Sequence, residues 1–306
     1  MSRERFKFLN HYLTFDNPED REERWQSDRF AAIRELFEEF NDLCSEHIIV
    51  DEYSSIDECL YSMRNEVAFK CYNPNKPNPY GINIKCLNSV KYPYTHRSEV
   101  FAGKPVDLEH AEYYCPNTHD ITMKLINGYG INKLCGANIT MDNLYTSVPL
   151  AKELLGKGVT VLGTLRHNRK GIPKEMKGIE ARQENSTIVW FSEDGKLIIT
   201  SYVVKTKSKG KKNILVLTTI PNISTLGLTR DDNKYKPAAI KVYDFSKGGT
   251  DIMDQRMGRY STNSRSNRWV MTAFPYMMDT SRVNAQTVPS LNCGKEPRKV
   301  NSFKFA

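Results

Sequence analysis

The sequence predicts a mixed α/β fold, and three features carry that prediction. Residues 46–104 read as short strands separated by turn formers. Residues 137–165 read as strand, loop, helix and strand, the pattern of a parallel crossover. Ahead of both lies an amphipathic helical stretch.

Taken in order, Ser2 is placed to cap a short helix through Tyr12, and Ser27 to cap a longer one. In that second helix Phe30, Ile33, Leu36, Phe37 and Phe40 share one side, with Glu35, Glu38 and Glu39 on the other. The apolar stripe predicts core packing and the acidic side predicts water. Strands are expected at 47–50, 56–61, 67–71, 81–87 and 92–101, around the turn-rich Asn73-Pro-Asn-Lys-Pro-Asn-Pro79. A helix follows near 120–127. In the crossover unit Ser147 is the expected cap, Pro149 sits in the first turn and Gly156 is the expected stop. Asp142 falls just past the first strand of that unit, where the loops of an open sheet converge. Residues 169–237 read as β-rich, with a hairpin turn at Glu193-Asp-Gly195, and the basic run 205–212 reads as a solvated loop. After 238–243 come Gly248-Gly249, a helical stretch from Thr250, a Gly/Ser/Asn-rich break and a helical stretch over 269–285.

The 306 residues carry a net charge of +8, unevenly placed. Residues 1–60 balance at −9 and residues 256–306 at +7, which leaves +10 for the middle. A basic body and tail behind an acidic head fit a polyanionic partner. With 39% hydrophobic residues the chain is too apolar for wholesale disorder. No run approaches the ~18 apolar residues of a membrane helix, and no apolar stretch follows the charged N-terminus as it would in a secretory signal. The seven cysteines form no C-x-x-C pair, so they supply no zinc signature and fit a reducing compartment.

The acids at strand ends and helix starts are the candidates for chemistry: Asp51 or Asp57, Asp142, and Asp251 with Asp254. Three carboxylates on one sheet would bind Mg²⁺ or Mn²⁺, hard ions that prefer oxygen. Two such ions can activate a water or a 3′-OH and stabilise the leaving oxygen in phosphodiester displacement. Each Asp taken alone also reads as a cap or turn former, and spacing leaves both readings open.

Asp142 lies in Ile139-Thr-Met-Asp-Asn-Leu-Tyr-Thr-Ser-Val-Pro-Leu-Ala-Lys-Glu-Leu-Leu155, which resembles the segment around the second catalytic Asp of PiggyBac transposases. Further matches stand in the same order: Met1-Ser-Arg-Glu-Arg-Phe6, Tyr72-Asn-Pro-Asn-Lys-Pro77 with Tyr80-Gly-Ile82, Lys247-Gly-Gly-Thr-Asp-Ile-Met-Asp-Gln255, Asn267-Arg-Trp269 and Val283-Asn-Ala285. The resemblance covers nearly the whole chain. Pattern alone favours Asp51, because Ile48-Ile-Val-Asp51 is the better-looking strand. Counting back from the Pro74–Pro77 motif puts the family's Ile-Asp-Glu on Ile56-Asp57-Glu58, which makes Asp57 the first acid and Asp51 the fallback.

The resemblance implies an RNase H-like catalytic core interrupted by a β-rich insertion, flanked by a mostly helical DNA-binding and dimerisation part. The core falls at 50–168 and 238–257, the insertion at 169–237, and the helical pieces at 1–49 and 258–306. It implies a metal-bound triad of Asp57, Asp142 and Asp251, with Asp254 as a fourth acid on the same helix face, and Mg²⁺ or Mn²⁺ as cofactor. Double-stranded DNA is the implied partner, gripped by Arg256, Arg259, Arg265 and Arg268, and the protein would act in the nucleus as a homodimer that cuts and rejoins strands at TTAA sites. The alternative is a transposon-derived, domesticated or truncated DNA-binding protein without full transposition. Three departures bear on that choice. The family's aromatic-Arg/Lys-Gly-Arg reads Met63-Arg-Asn-Glu66 here, Pro275 lies inside an expected helix, and no Cys-rich zinc module follows.

Overall fold

The computed structural model describes residues 1–206, 210–221, 223, 228–231 and 234–293. Three helices open the chain: α1 (Arg3–Tyr12), α2 (Arg21–Ser27) and α3 (Arg34–His47). Ser2 caps α1 by accepting the Arg5 amide at 3.2 Å. Ser27 does not cap the next helix; it ends α2, and a 3₁₀ turn over Ala31–Ile33 leads into α3. The neighbouring Asp28 organises that turn instead, accepting the Phe30 amide at 2.9 Å and the Arg34 guanidinium at 2.7 Å. The expected stripe is real, with Phe30, Ile33, Phe37 and Phe40 all buried.

A meander follows: β1 (Tyr53–Ser62), β2 (Lys70–Tyr72), β3 (Tyr80–Ser89) and β4 (Thr95–Val100). The strand expected at 47–50 does not form. His47 ends α3, and the polar groups beyond it bond to side chains: the Val50 amide donates to Tyr129 Oη at 2.9 Å, and Ile48 O pairs with His96 Nδ1 at 3.2 Å. Next come α4 (Thr118–Tyr129), capped by Asn117, then β5 (Asn138–Met141), α5 (Val148–Gly156) and β6 (Thr160–Thr164). Ser147 caps α5 as expected, and β5 and β6 are parallel.

The β-rich segment forms β7 (Thr187–Phe191), β8 (Ile198–Thr206) and β9 (Gly210–Thr218), and a small hairpin pairs β10 (Leu228–Asp231) with β11 (Lys234–Pro237). The basic run 205–212 spans the β8–β9 turn, and its residues 207–209 lie outside those described. The chain then turns helical: α6 (Ala238–Ser246), α7 (Gly249–Arg259) and α8 (Val270–Asn292), with Pro275 accommodated inside α8. Residues 294–306, much of the basic tail, lie outside the described residues.

β1–β9 form one mixed sheet in the order β2-β3-β1-β5-β6-β9-β8-β7, with β4 also paired to β3. Strands β7–β9 of the β-rich segment therefore extend the central sheet through the β6–β9 pairing, while β10 and β11 pair as a separate two-stranded sheet. Burial splits the sheet into two faces. Ile56, Ile139 and Met141 pack with α4 and α5, whereas Cys59 and Tyr61 pack with α3, α7 and α8. Alternation along β1 therefore puts Asp57 on the α7 side, with Ser55, Cys59 and Tyr61.

Two glycines permit close approaches that position the site. A side chain at Gly163 of β6 would collide with Thr146 Oγ1 and Met141 O. Thr146 in turn donates to Asp142 O at 2.7 Å and shapes the loop after β5. At Gly249 a Cβ would lie 2.4 Å from Ser55 Oγ and 2.8 Å from Ser89 O, so only glycine lets α7 begin against β1 and β3.

Candidate active site

The pairing of β1 with β5 is parallel and in register as far as Ile56 opposite Met141. One residue further on stand Asp57 and Asp142. Register partners on parallel strands point to the same face, and adjacent strands lie about 4.8 Å apart. The two carboxyls are therefore neighbours despite a sequence separation of 85. Asp57 Oδ1 accepts the Glu58 amide at 2.8 Å, and Asp142 Oδ1 accepts the Leu144 amide at 2.7 Å in an Asx turn. The turn-forming role and the site role thus coexist in Asp142.

The electrostatics of the pair are unfavourable without a cation. Burial raises the Asp57 carboxyl to about 7 against the pull of the Glu58 amide, and the charge of Asp142 adds to the rise. Burial raises Asp142 as well, with Glu58 acting in the same direction. Tyr145 and Tyr243 flank the acids, and burial together with the charges of Asp57 and Asp142 raises both phenols. Tyr145 Oη donates to Glu58 Oε2 at 3.1 Å, and Lys85 Nζ reaches the same oxygen at 3.1 Å.

The other two acids ride on α7. Asp251 is exposed in its first turn, and its charge bears on Asp254, one turn further along. Burial raises the Asp254 carboxyl against the Cys59 thiol and Lys76. Asp254 Oδ1 is buried with no hydrogen-bond partner. The structure thus sets Asp57 beside Asp142 and Asp254 against Cys59 on the same sheet face, with Asp251 exposed one turn before Asp254. Cys86, opposite Asp57 in the ladder, feels the charges of both Asp57 and Asp254. Among the described residues no three acidic, His or Cys groups close into one ligand sphere.

Asp51 lies away from the Asp57–Asp142 pair. It precedes β1 at the end of the strand away from Asp142, and it pairs with Lys91 at 3.1 Å. The Glu52 amide and Lys91 hold its carboxyl below the ordinary value.

Sequence reasoning missed Lys76 as a site residue, although it lies in the quoted Tyr72–Pro77 motif. Its Nζ stands 3.8 Å from Asp254 Oδ2 and 3.4 Å from Glu58 O, and its charge lowers both Asp57 and Asp254. A cleft of about 350 Å³ opens there, with Lys76, Asn78, Asp254 and Ser261 on its walls. On the other side an open groove of about 820 Å³ is lined by Tyr145, Arg166, Arg169 and Lys170. Arg166 donates to Asn143 Oδ1 at 2.9 Å and Arg169 to Leu144 O at 2.7 Å, so both brace the Asp142 loop.

The four arginines singled out from the sequence separate in the structure. Arg259 and Arg265 are exposed, and Arg256 is partly buried, which lowers its pKa. Arg268 is committed to the protein: its guanidinium donates to the carbonyls of Asn10, His11 and Leu13 at 3.3, 2.9 and 2.5 Å. It ties the C-terminal end of α1 to the start of α8. Glu66 is exposed and paired with Lys70.

Asp57 and Asp142, with Asp254 nearby, are the residues that could hold a divalent ion. The donors are all carboxylate oxygens, as Mg²⁺ and Mn²⁺ prefer. The repulsion within the Asp57–Asp142 pair and the unpartnered Asp254 oxygen are the deficits a cation would relieve.

A family model described as Transposase IS4 matches residues 1–286. The chain belongs to that transposase family. Over 95% of its length it is 24% identical to human PiggyBac transposable element-derived protein 2, and over 84% it is 23% identical to human PiggyBac transposable element-derived protein 3. It spans 49% and 44% of those proteins, about half their length. Among solved structures it matches a chain of the piggyBac transposase synaptic complex with hairpin DNA at a TM-score of 0.83 and 28% identity, over 98% of this chain and 60% of that one.

Proposed function

We propose that this PiggyBac-type chain is the DDE/D core of a cut-and-paste DNA transposase. The observation that carries the reading is the register placement of Asp57 beside Asp142, with Asp254 of α7 against Cys59 on the same face. Asp57, Asp142 and Asp251 would hold Mg²⁺ or Mn²⁺, and Asp254 would serve as a further acid. When bound, such ions lower the pKa of the attacking oxygen and stabilise the leaving one.

The protein's own groups do the rest. Tyr145 and Lys85 hold Glu58 away from the pair, and the Leu144 amide orients Asp142. Lys76 offsets charge on Asp57 and Asp254. Arg166, Arg169 and Lys170 on one side and Arg265 on the other offer charge to the phosphates of duplex DNA. The antiparallel β1–β3–β4 meander joined to parallel β5 and β6 supports an RNase H-like core at 50–168 and 238–257, with 169–237 inserted and helical parts at 1–49 and 258–306. The hairpin-DNA complex of the structural neighbour supports DNA as partner, and TTAA sites as target follow from the family resemblance alone. The protein would act in the nucleus as a homodimer.

The test is strand nicking of a duplex that carries TTAA beside a terminal repeat, in Mg²⁺, Mn²⁺ or chelator. Nicking only with the divalent ion is the expected result. Salt-dependent binding without nicking in any condition would favour a transposon-derived DNA-binding protein instead.

A further inference from the structure

Asp279 of α8 is fully buried, and each of its oxygens accepts two hydrogen bonds. Oδ2 takes the hydroxyls of Tyr61 and Ser261, both at 2.7 Å. Oδ1 takes the Thr262 amide at 2.8 Å and the Thr262 hydroxyl at 3.0 Å. A buried carboxylate is costly unless donors satisfy it, and here four do. Three of those donors belong to the segment between α7 and α8, which has no regular structure and reads Tyr260-Ser-Thr-Asn-Ser-Arg-Ser-Asn-Arg268. Such a Ser/Asn-rich stretch has little apolar surface to pin it. Two more side chains stitch it down: Asn263 Nδ2 donates to Ser62 O at 2.9 Å, and Asn65 Nδ2 donates to Ser266 O at 3.0 Å.

The fourth donor, Tyr61, lies on β1 four residues beyond Asp57 and on the same face. The segment's free cation is Arg265, which is exposed and makes no ion pair among the described residues. It shares a cleft of about 320 Å³ with Arg64, Asn65 and Ser266. We propose that Asp279 is a positioning residue that fixes the 260–268 segment, and with it Arg265, in register with the strand that carries Asp57. A DNA phosphate held at Arg265 is thereby aligned with the acid pair. Ordering the segment before DNA arrives removes an entropy cost from binding. The inference rests on the DNA-cleaving reading above.

The test combines amide hydrogen exchange with a double-mutant cycle on duplex DNA affinity, measured by anisotropy without divalent ions. Asp279→Ala should speed exchange across 260–268 at least tenfold and leave β5 and α5 unchanged. Asp279→Ala and Arg265→Ala should each weaken DNA binding about fivefold, and the double variant no further than Asp279→Ala alone. Asp279→Asn keeps an acceptor for the Thr262 amide and should recover most of the loss. If Asp279→Ala does not fold, Tyr61→Phe and Ser261→Ala remove single donors from the same carboxylate and carry the same comparison. Unchanged exchange, or losses that multiply in the double variant, would overturn the inference. A wild type that binds no duplex DNA would remove the functional reading along with it, whereas DNA binding that depends on Arg265 but not on Asp279 removes this inference alone.

Discussion

Asp57 and Asp142 are register neighbours, each one residue past the last paired position of two adjacent parallel strands, and burial pushes both carboxyls toward their neutral forms. Both the proposed chemistry and the expected response to metal follow from that relationship.

A ligand that binds only the folded state stabilises it by mass action, about 2.7 kcal/mol at a hundredfold excess over Kd. Mn²⁺ should therefore raise the thermal midpoint of the wild type, and Asp57→Asn or Asp142→Asn should remove most of the rise. Differential scanning fluorimetry across a Mn²⁺ titration measures it. An equal rise in the variants would place the metal elsewhere.

His96 sets an acid limit on stability that is independent of the site. It is fully buried against Tyr94 and Tyr129, and burial lowers its pKa from 6.5 to about 4. The unfolded chain thus binds the proton first, so this contribution is intact above pH 6.5 and is lost as the pH falls toward 4. The loss is on the order of 3 kcal/mol. Protonation of Asp57 acts in the opposite direction in both proteins, so the loss reads as the difference in urea stability between wild type and His96→Phe at pH 7 and pH 4.5; equal acid sensitivity in both proteins would refute the assignment.

Arg265 and Arg268 are three residues apart and should behave oppositely. Arg268→Ala abandons three carbonyls around the end of α1 and should cost about 2 kcal/mol of stability. Arg265→Ala should leave stability unchanged and reduce the dependence of DNA binding on salt between 50 and 200 mM. Unfolding curves and anisotropy on the same preparations separate the two roles, and matching stability losses would contradict the division.

Much of this arrangement was legible in local pattern. Ser147 and Pro149 mark the start of α5, alternating apolar residues mark β1 and β3, and Asp142 falls just past the C-terminal end of the interior strand β5. The different places of Asp57 and Asp51 were not legible in strand pattern, because Ile48-Ile-Val50 reads as a strand while its backbone groups bond to Tyr129 and His96 side chains. Ser27 failed as a cap because Asp28 can reach Arg34 as well as the Phe30 amide. Lys76 enters the site through a loop that returns across β1, and Arg268 is consumed by α1, more than 250 residues away in sequence. Both are long-range facts, which no local spacing encodes.

The central claim, that these carboxylates carry metal-dependent strand cleavage, is tested most directly by Asp142→Asn. The substitution keeps the shape of the side chain and removes one negative charge facing the phosphate. Nicking of the TTAA duplex in Mg²⁺ or Mn²⁺ and metal-free DNA affinity should be measured side by side with the wild type. The account predicts that nicking is abolished while DNA affinity is unchanged or slightly improved. Wild-type nicking that persists in chelator, together with nicking by Asp142→Asn at the wild-type rate, would contradict it.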